Sequence, residues 1–165
     1  MEAVAADAPV GGEEWLFGGA FGEGVALFGG EEAGAFGELE DGCVVMATVD
    51  DMFHIIFNLV ENAIKYNVPN GSVTLILKGT VDSVQFTVAD TGIGIPEEET
   101  YNIFSRFYRV DKARSREAGG SGLGLSIVHD AVKAHGGSIA VGQNKPQGSR
   151  FIVTFPRPTS EETGI

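Results

Sequence analysis

The chain has 165 residues, 43% of them apolar and 21% charged, and a net charge of −12; that is one domain of ordinary size with enough apolar residues to bury a core, which excludes a wholly disordered or collagen-like chain. No uninterrupted apolar run approaches the ~20 residues a membrane span needs, no basic-then-apolar leader opens the chain, and the acidic balance argues against nucleic acid as the main partner. The single cysteine, Cys43, has no internal disulfide partner, so a cytoplasmic setting without direct membrane contact is expected.

The acidity is uneven. Residues 1–42 hold ten acidic residues and no Lys or Arg, whereas residues 43–165 hold thirteen acidic and eleven basic. Residues 11–42 also contain eleven of the 24 glycines, with Trp15 and several Phe, Leu and Val between them. Each glycine costs a helix about 1 kcal/mol relative to Ala, so a loose hairpin or no fixed structure is expected there. The organisation read from this is an atypical acidic segment over 1–42, a folded domain over 43–157 and a frayed tail over 158–165.

The folded part starts with a short strand over 43–49. Asp50 is the expected N-cap of a helix running to about Asn67. In that helix Met52, Ile55, Ile56, Leu59, Val60 and Ala63 recur at the spacing of a buried stripe. The turn Val68-Pro69-Asn70-Gly71 ends it, and β-branched strands follow over 72–78 and 83–89. Residues 90–96 (DTGIGIP) form a glycine-rich loop, with Pro96 suited to the start of a short helix. Residues 101–121 carry seven charges and little periodicity. A glycine run over 119–124 leads into a helix over 125–135, stopped by Gly136-Gly137. Strands over 138–142 and 149–156, joined by a turn around 144–148, close the domain.

Three features carry chemistry. His54, Asn58, Glu61, Asn62 and Lys65 lie opposite the apolar stripe, with Asn58 and Asn62 one turn apart. Two carboxamide oxygens suit a hard cation such as Mg²⁺, and a lysine one turn on suits phosphate oxygens; a solvated polar face is the plainer reading of these residues alone. In DTGIGIP, Gly92 and Gly94 let the backbone approach a planar ligand, and Asp90 would accept from the amine of adenine but repel the oxygen of guanine. A simple turn is the plain alternative. Residues 119–125 (GGSGLGL) put free N–H groups and the positive end of a helix dipole toward an anion. Their spacing fits neither a P-loop nor a dinucleotide fingerprint.

Taken together these motifs resemble those of sensor histidine kinases. His54-x3-Asn58-Leu59-x2-Asn62-Ala63-x-Lys65-Tyr66 looks like their N box, DTGIGIP their G1 box, residues 103–109 (IFSRFYR) their F box and residues 120–125 (GSGLGL) their G2 box. The four occur in the family's order and spacing over roughly residues 43–156. The resemblance implies a catalytic ATP-binding domain of the GHKL superfamily, with a Bergerat-type α/β two-layer sandwich, a mixed sheet covered by helices on one face. By that likeness Asn62 is the main Mg²⁺ ligand with Asn58 in support, Lys65 contacts phosphate and Tyr66 packs near adenine. Asp90 binds the adenine amine, with Gly92, Gly94 and Ile95 shaping the pocket. Phe104 and Phe107 anchor a lid, Arg106 and Arg109 reach the γ-phosphate, and Gly120, Gly122, Leu123, Gly124 and Leu125 wrap the phosphates.

One position separates kinase from hydrolase. In the gyrase, MutL and Hsp90 branches a carboxylate precedes the metal-binding Asn by one turn; here Asn58 stands there, and an amide is no base. ATP is then expected to be held for transfer, with Asn58, Asn62, Lys65, Arg106 and Arg109 serving the reaction. Glu61 points about 100° away from the Asn62 direction and is a weak substitute. The glycine-rich residues 1–42 do not suit the dimerising helical hairpin that carries the family's acceptor histidine. His129-Asp130 lacks the Arg and Pro of the acceptor motif, His54 suits an orienting role, and His135 sits at a helix C-terminus. The expected phosphoacceptor is therefore a histidine on a separate dimerisation domain, and a response regulator receiver domain lies downstream. The other readings are a non-catalytic adenine-nucleotide-binding regulator and a serine kinase of the anti-sigma-factor type; the Arg-Phe-Tyr-Arg sequence favours the histidine kinase over the latter.

Overall fold

In the computed structural model, which describes residues 14–17, 33–39, 43–110 and 121–158, the β-branched runs pair into one mixed sheet and both amphipathic segments lie on one of its faces. In chain order the elements are β1 (Glu14–Phe17), β2 (Ala33–Leu39), β3 (Cys43–Met46), α1 (Val49–Lys65), β4 (Gly71–Gly79), β5 (Ser83–Asp90), a 3-10 turn (Glu97–Glu99), α2 (Gly124–Ala134), β6 (Ser138–Gln143) and β7 (Ser149–Pro156). The five-stranded sheet has the order β2-β4-β5-β7-β6, with β2 parallel to β4 and the other pairs antiparallel. Strand β3 pairs with β1 in a separate antiparallel ribbon.

Period-2 alternation decides which side chains face the helices. Val73, Leu75 and Leu77 of β4, Val84, Phe86 and Val88 of β5, and Phe151, Val153 and Phe155 of β7 are all buried. Register aligns them into rows, with Leu75 opposite Val88 and Val88 opposite Phe151. Met52, Ile55, Leu59 and Ala63 of α1 and Val128 and Val132 of α2 close the same core. Asp90 is the next inward position of β5 after Val84, Phe86 and Val88. The alternation that builds the core thus carries a carboxylate to its edge.

The ends of α1 differ from the expectation. Thr48, not Asp50, is the N-cap: its backbone is extended, and its side chain accepts from the Asp51 N–H at 3.2 Å. The strand stops at Met46 because the chain must turn into that cap, and Asp50 and Asp51 then fall in the first turn, where the helix dipole favours them. At the other end the helix stops at Lys65. Asn67 uses its side chain for tertiary contacts, donating to the Ser72 carbonyl at 3.0 Å and accepting from the Val68 N–H at 2.9 Å; Val68 precedes Pro69, which disfavours helical backbone. His135 at the end of α2 meets Asp51 at 2.8 Å, so the two helices are tied end to start. Among the described residues no helix is long and apolar enough to cross a membrane.

Candidate active site

A single cleft is lined by the second half of α1, the end of β5 with its loop, the segment before residue 110, the start of α2 and the start of β7. From α1 and its C-cap come Asn58, Asn62, Lys65 and Tyr66; from the end of β5 and its loop Asp90, Gly94 and Ile95; then Arg109, and Gly122, Gly124 and Leu125. Five stretches separated in sequence meet here.

Asp90 is 5% exposed. Its Oδ1 accepts from the Gly92 N–H at 2.8 Å and the Ser149 N–H at 3.1 Å. Among the described residues no side chain or backbone group bonds Oδ2. Burial pushes the carboxyl above its ordinary pKa, against the two backbone donors that favour the charged form. One oxygen is thereby fixed and the other is left unbonded on a residue that lines the cleft, able to accept a hydrogen bond from a ligand donor and to repel a ligand carbonyl.

On α1, Asn58 Nδ2 donates to the His54 carbonyl at 2.7 Å, which leaves Oδ1 directed at the start of α2. A Cβ on Gly124 would lie 2.6 Å from that Oδ1, so glycine is what lets the first turn of α2 close on Asn58. The N-cap residue of α2, Leu123, gives no side-chain cap, and no acidic residue stands in the first turn. Uncapped N–H groups and the positive dipole end therefore open into the cleft, a setting for an anion. Lys65 adds a cation, its Nζ 5.6 Å from the Tyr66 ring. The amide oxygens of Asn58 and Asn62 are neutral and hard, and they fit Mg²⁺ when phosphate supplies the negative charge.

Other expected site residues stand outside the lining. Arg106 points outward and pairs with Asp130 of α2 at 3.0 Å, both ends exposed; the guanidinium holds the Asp130 carboxyl below the usual carboxylate range. Phe104 packs on the core with its ring 5.7 Å from that of His129. Phe107 does not pack: it is 72% exposed, has φ 63°, and attaches through its N–H to the Gly122 carbonyl at 2.9 Å. Gly92 is buried behind the cleft and acts through its N–H, and Leu123 stands at the helix cap. Gly120 lies outside the described residues, as do most of residues 1–42 and the tail from 159.

Several lining residues were given no part in the site by the sequence reading. Ser149 contributes a backbone N–H, which residue type does not announce. Tyr108 lines the cleft and donates its hydroxyl to Glu99, whose carboxylate raises the phenol pKa; its place in the 103–109 motif was the signal that could have found it. Ser121 and Glu61 also face the cleft.

Residues 47–159 match the family model described as histidine kinase-, DNA gyrase B- and HSP90-like ATPase. Over 115 residues the chain is 40% identical to the sensor histidine kinase WalK of Bacillus subtilis (strain 168), covering 68% of this chain and 18% of that protein. The solved mycobacterial sensor histidine kinase MprB superposes with a TM-score of 0.67 at 28% identity, over 77% of this chain and 84% of that one. Full-length ShkA in complex with AMPPNP gives a TM-score of 0.62 at 30% identity, over 76% of this chain and 25% of that one. The chain spans about a fifth of the length of the curated relatives it matches.

Proposed function

The chain belongs to the histidine kinase-, DNA gyrase B- and HSP90-like ATPase family, and from that premise we propose that it binds Mg-ATP and transfers the γ-phosphoryl group to a histidine of a separate phosphoacceptor domain in two-component signalling. The observation that carries this reading is Asp90, a buried carboxylate with Oδ1 held by two backbone N–H groups and Oδ2 left unbonded, lining the same cleft as Asn62, Lys65 and the uncapped start of α2. An adenine amine on Oδ2 would leave the phosphates to reach the other end of the cleft.

In this reading Asp90 selects adenine, Tyr66 and Ile95 pack near the base, and Lys65 and the N–H groups of α2 hold phosphate oxygens. Asn62, with Asn58 in support, holds Mg²⁺, which when bound offsets charge on the transferring group. Arg109 lines the cleft and in this reading reaches the γ-phosphate, and Arg106 joins it only by leaving Asp130. An imidazole nitrogen of the acceptor attacks the γ-phosphorus in line; the bond to the β,γ-bridging oxygen breaks, and ADP leaves. Asn58 offers no base to a competing water. The phosphoryl group then passes to an aspartate of a response regulator, and we place the domain in the cytoplasm.

Calorimetric titration with Mg-ADP and Mg-GDP tests the first step. Adenine binding that falls at least about tenfold in Asp90→Asn is expected, since hydrogen bonds to charged groups are worth about 1.5–3 kcal/mol. Incubation with γ-labelled ATP and a supplied helical phosphoacceptor domain tests the second. Label on its histidine is expected; binding without transfer would leave a nucleotide-dependent regulator instead.

A further inference from the structure

Asp90 is held from behind by a turn that belongs to none of the glycine-rich motifs. The connection between β6 and β7, residues 144–148, reaches back over the end of β5. Asn144 Nδ2 donates to the Asp90 carbonyl at 2.8 Å, and Gln147 Nε2 donates to the Gly92 carbonyl at 3.0 Å. Arg150 Nη2 donates to Asn144 Oδ1 at 3.3 Å, which settles the amide with its NH₂ toward Asp90. The Asn144 N–H closes the turn on the Gly148 carbonyl at 3.0 Å. Gly148 has φ 116°, and a Cβ there would come within 1.8 Å of the Asp90 carbonyl oxygen, so the turn lies directly against that peptide.

These contacts begin where the sheet stops. The β5–β7 ladder runs from Ser83↔Pro156 to Ala89↔Arg150 and pairs nothing beyond Ala89. Past that point two side-chain amides take over, one on each side of Thr91. Neither amide lines the cleft, so any effect they have on a bound base must pass through Asp90 and Gly92.

We propose that Asn144 and Gln147 are positioning residues that set the adenine selectivity of the cleft, by holding the backbone of residues 90–92 so that Asp90 Oδ2 meets an exocyclic amine. A fixed acceptor discriminates between bases, whereas one free to turn away accommodates either. The proposal rests on the reading of Asp90 as the nucleobase acceptor.

The test is calorimetric titration of the full chain with ADP, GDP and inorganic tripolyphosphate, each with Mg²⁺. Asn144→Ala is expected to weaken ADP binding about tenfold and Gln147→Ala about threefold, the size of one lost hydrogen bond each. GDP and tripolyphosphate affinities should stay within about twofold of wild type, so the ADP:GDP ratio narrows. Gln147→Lys, which keeps an N–H donor, should recover most of the ADP affinity lost in Gln147→Ala. Should Asn144→Ala fail to fold, the exposed Gln147 pair carries the test. Unchanged ADP affinity and ratio in these variants, with ADP binding lost in Asp90→Asn, would overturn the clamp and leave the Asp90 reading standing. Equal losses for ADP, GDP and tripolyphosphate would overturn it too, as general loosening of the site. Wild-type ADP affinity in Asp90→Asn would overturn both.

Discussion

Helix α1 begins on Thr48, whose hydroxyl accepts the Asp51 N–H and donates to the Asp51 carboxylate at 2.9 Å, while His135 closes on that carboxylate at 2.8 Å. Helix α2 begins on Leu123, with no side-chain cap, no acid in its first turn, and a glycine on either side of the cap position. Every helix leaves its first N–H groups unpaired and its N-terminus partly positive. The protein satisfies that need at α1 with its own residues and leaves it unmet at α2, where the end faces the cleft. The first arrangement belongs to the fold and the second, in the function proposed above, to a ligand. A helix start in this molecule therefore declares its use by what is missing from it.

Closing the open end should have the largest effect. Ser121 lines the cleft, and its Oγ already accepts the Leu123 N–H at 3.3 Å. Ser121→Asp places a carboxylate there, and a charge at a partly buried helix end is worth up to about 2 kcal/mol. ADP affinity measured by calorimetry should fall more than about tenfold, while the thermal midpoint of the ligand-free protein holds or rises.

Opening the closed end should do the reverse. Thr48→Ala removes the cap of α1, at about 1 kcal/mol of stability. Urea denaturation should show that loss, and ADP affinity at saturating folded protein should not move. A drop in affinity without a drop in stability would erase the distinction between the two ends.

Proton linkage sharpens it further. Burial raises the folded pKa of Asp90 above the ordinary 3.8, so ADP binding that needs its ionised form should weaken on acidification before an ordinary aspartate titrates. Asp51 runs the other way: its hydrogen bond to His135, then that to Thr48, lowers its folded pKa below 3.8. Its stabilising contribution is present above the unfolded pKa and is lost as pH falls through the folded value. Urea melts between pH 5 and pH 3 should flatten slightly in Asp51→Asn, the smallest of these effects because the side chain is partly exposed.

Much of the site was legible because its chemistry uses residue types that also carry local structure. The stripe of Met52, Ile55 and Leu59 set the rotation of α1 and so put Asn58, Asn62 and Lys65 on its other face. Alternation along β5 brought Asp90 inward, and glycines before Leu125 marked the open helix start. The expected hairpin strands follow from the same periodicities, whereas the two-layer fold was implied by the resemblance of the four motifs to those of sensor histidine kinases. Arg106 and Phe107 show where the legibility ended: both belong to a motif, yet one pairs with Asp130 and the other holds the loop through its backbone. Thr48 displaced Asp50 as the cap because a cap is chosen by backbone geometry among adjacent candidates.

What the sequence by itself determined is therefore each element from Cys43 onward, the face it buries and the chemistry it presents, because periods of 3.6 and 2 act within a few neighbours; β2 (Ala33–Leu39), which joins the sheet beside β4, lies where a loose hairpin or no fixed structure was expected. What only the tertiary structure decided is which distant groups share an atom. Oδ1 of Asp90 is shared by Gly92 and Ser149, and its carbonyl belongs to Asn144, 54 residues away. Such contacts depend on how β5 and β7 end against each other, and hydrogen bonds of this kind are made by backbone groups and amides that every stretch of chain possesses.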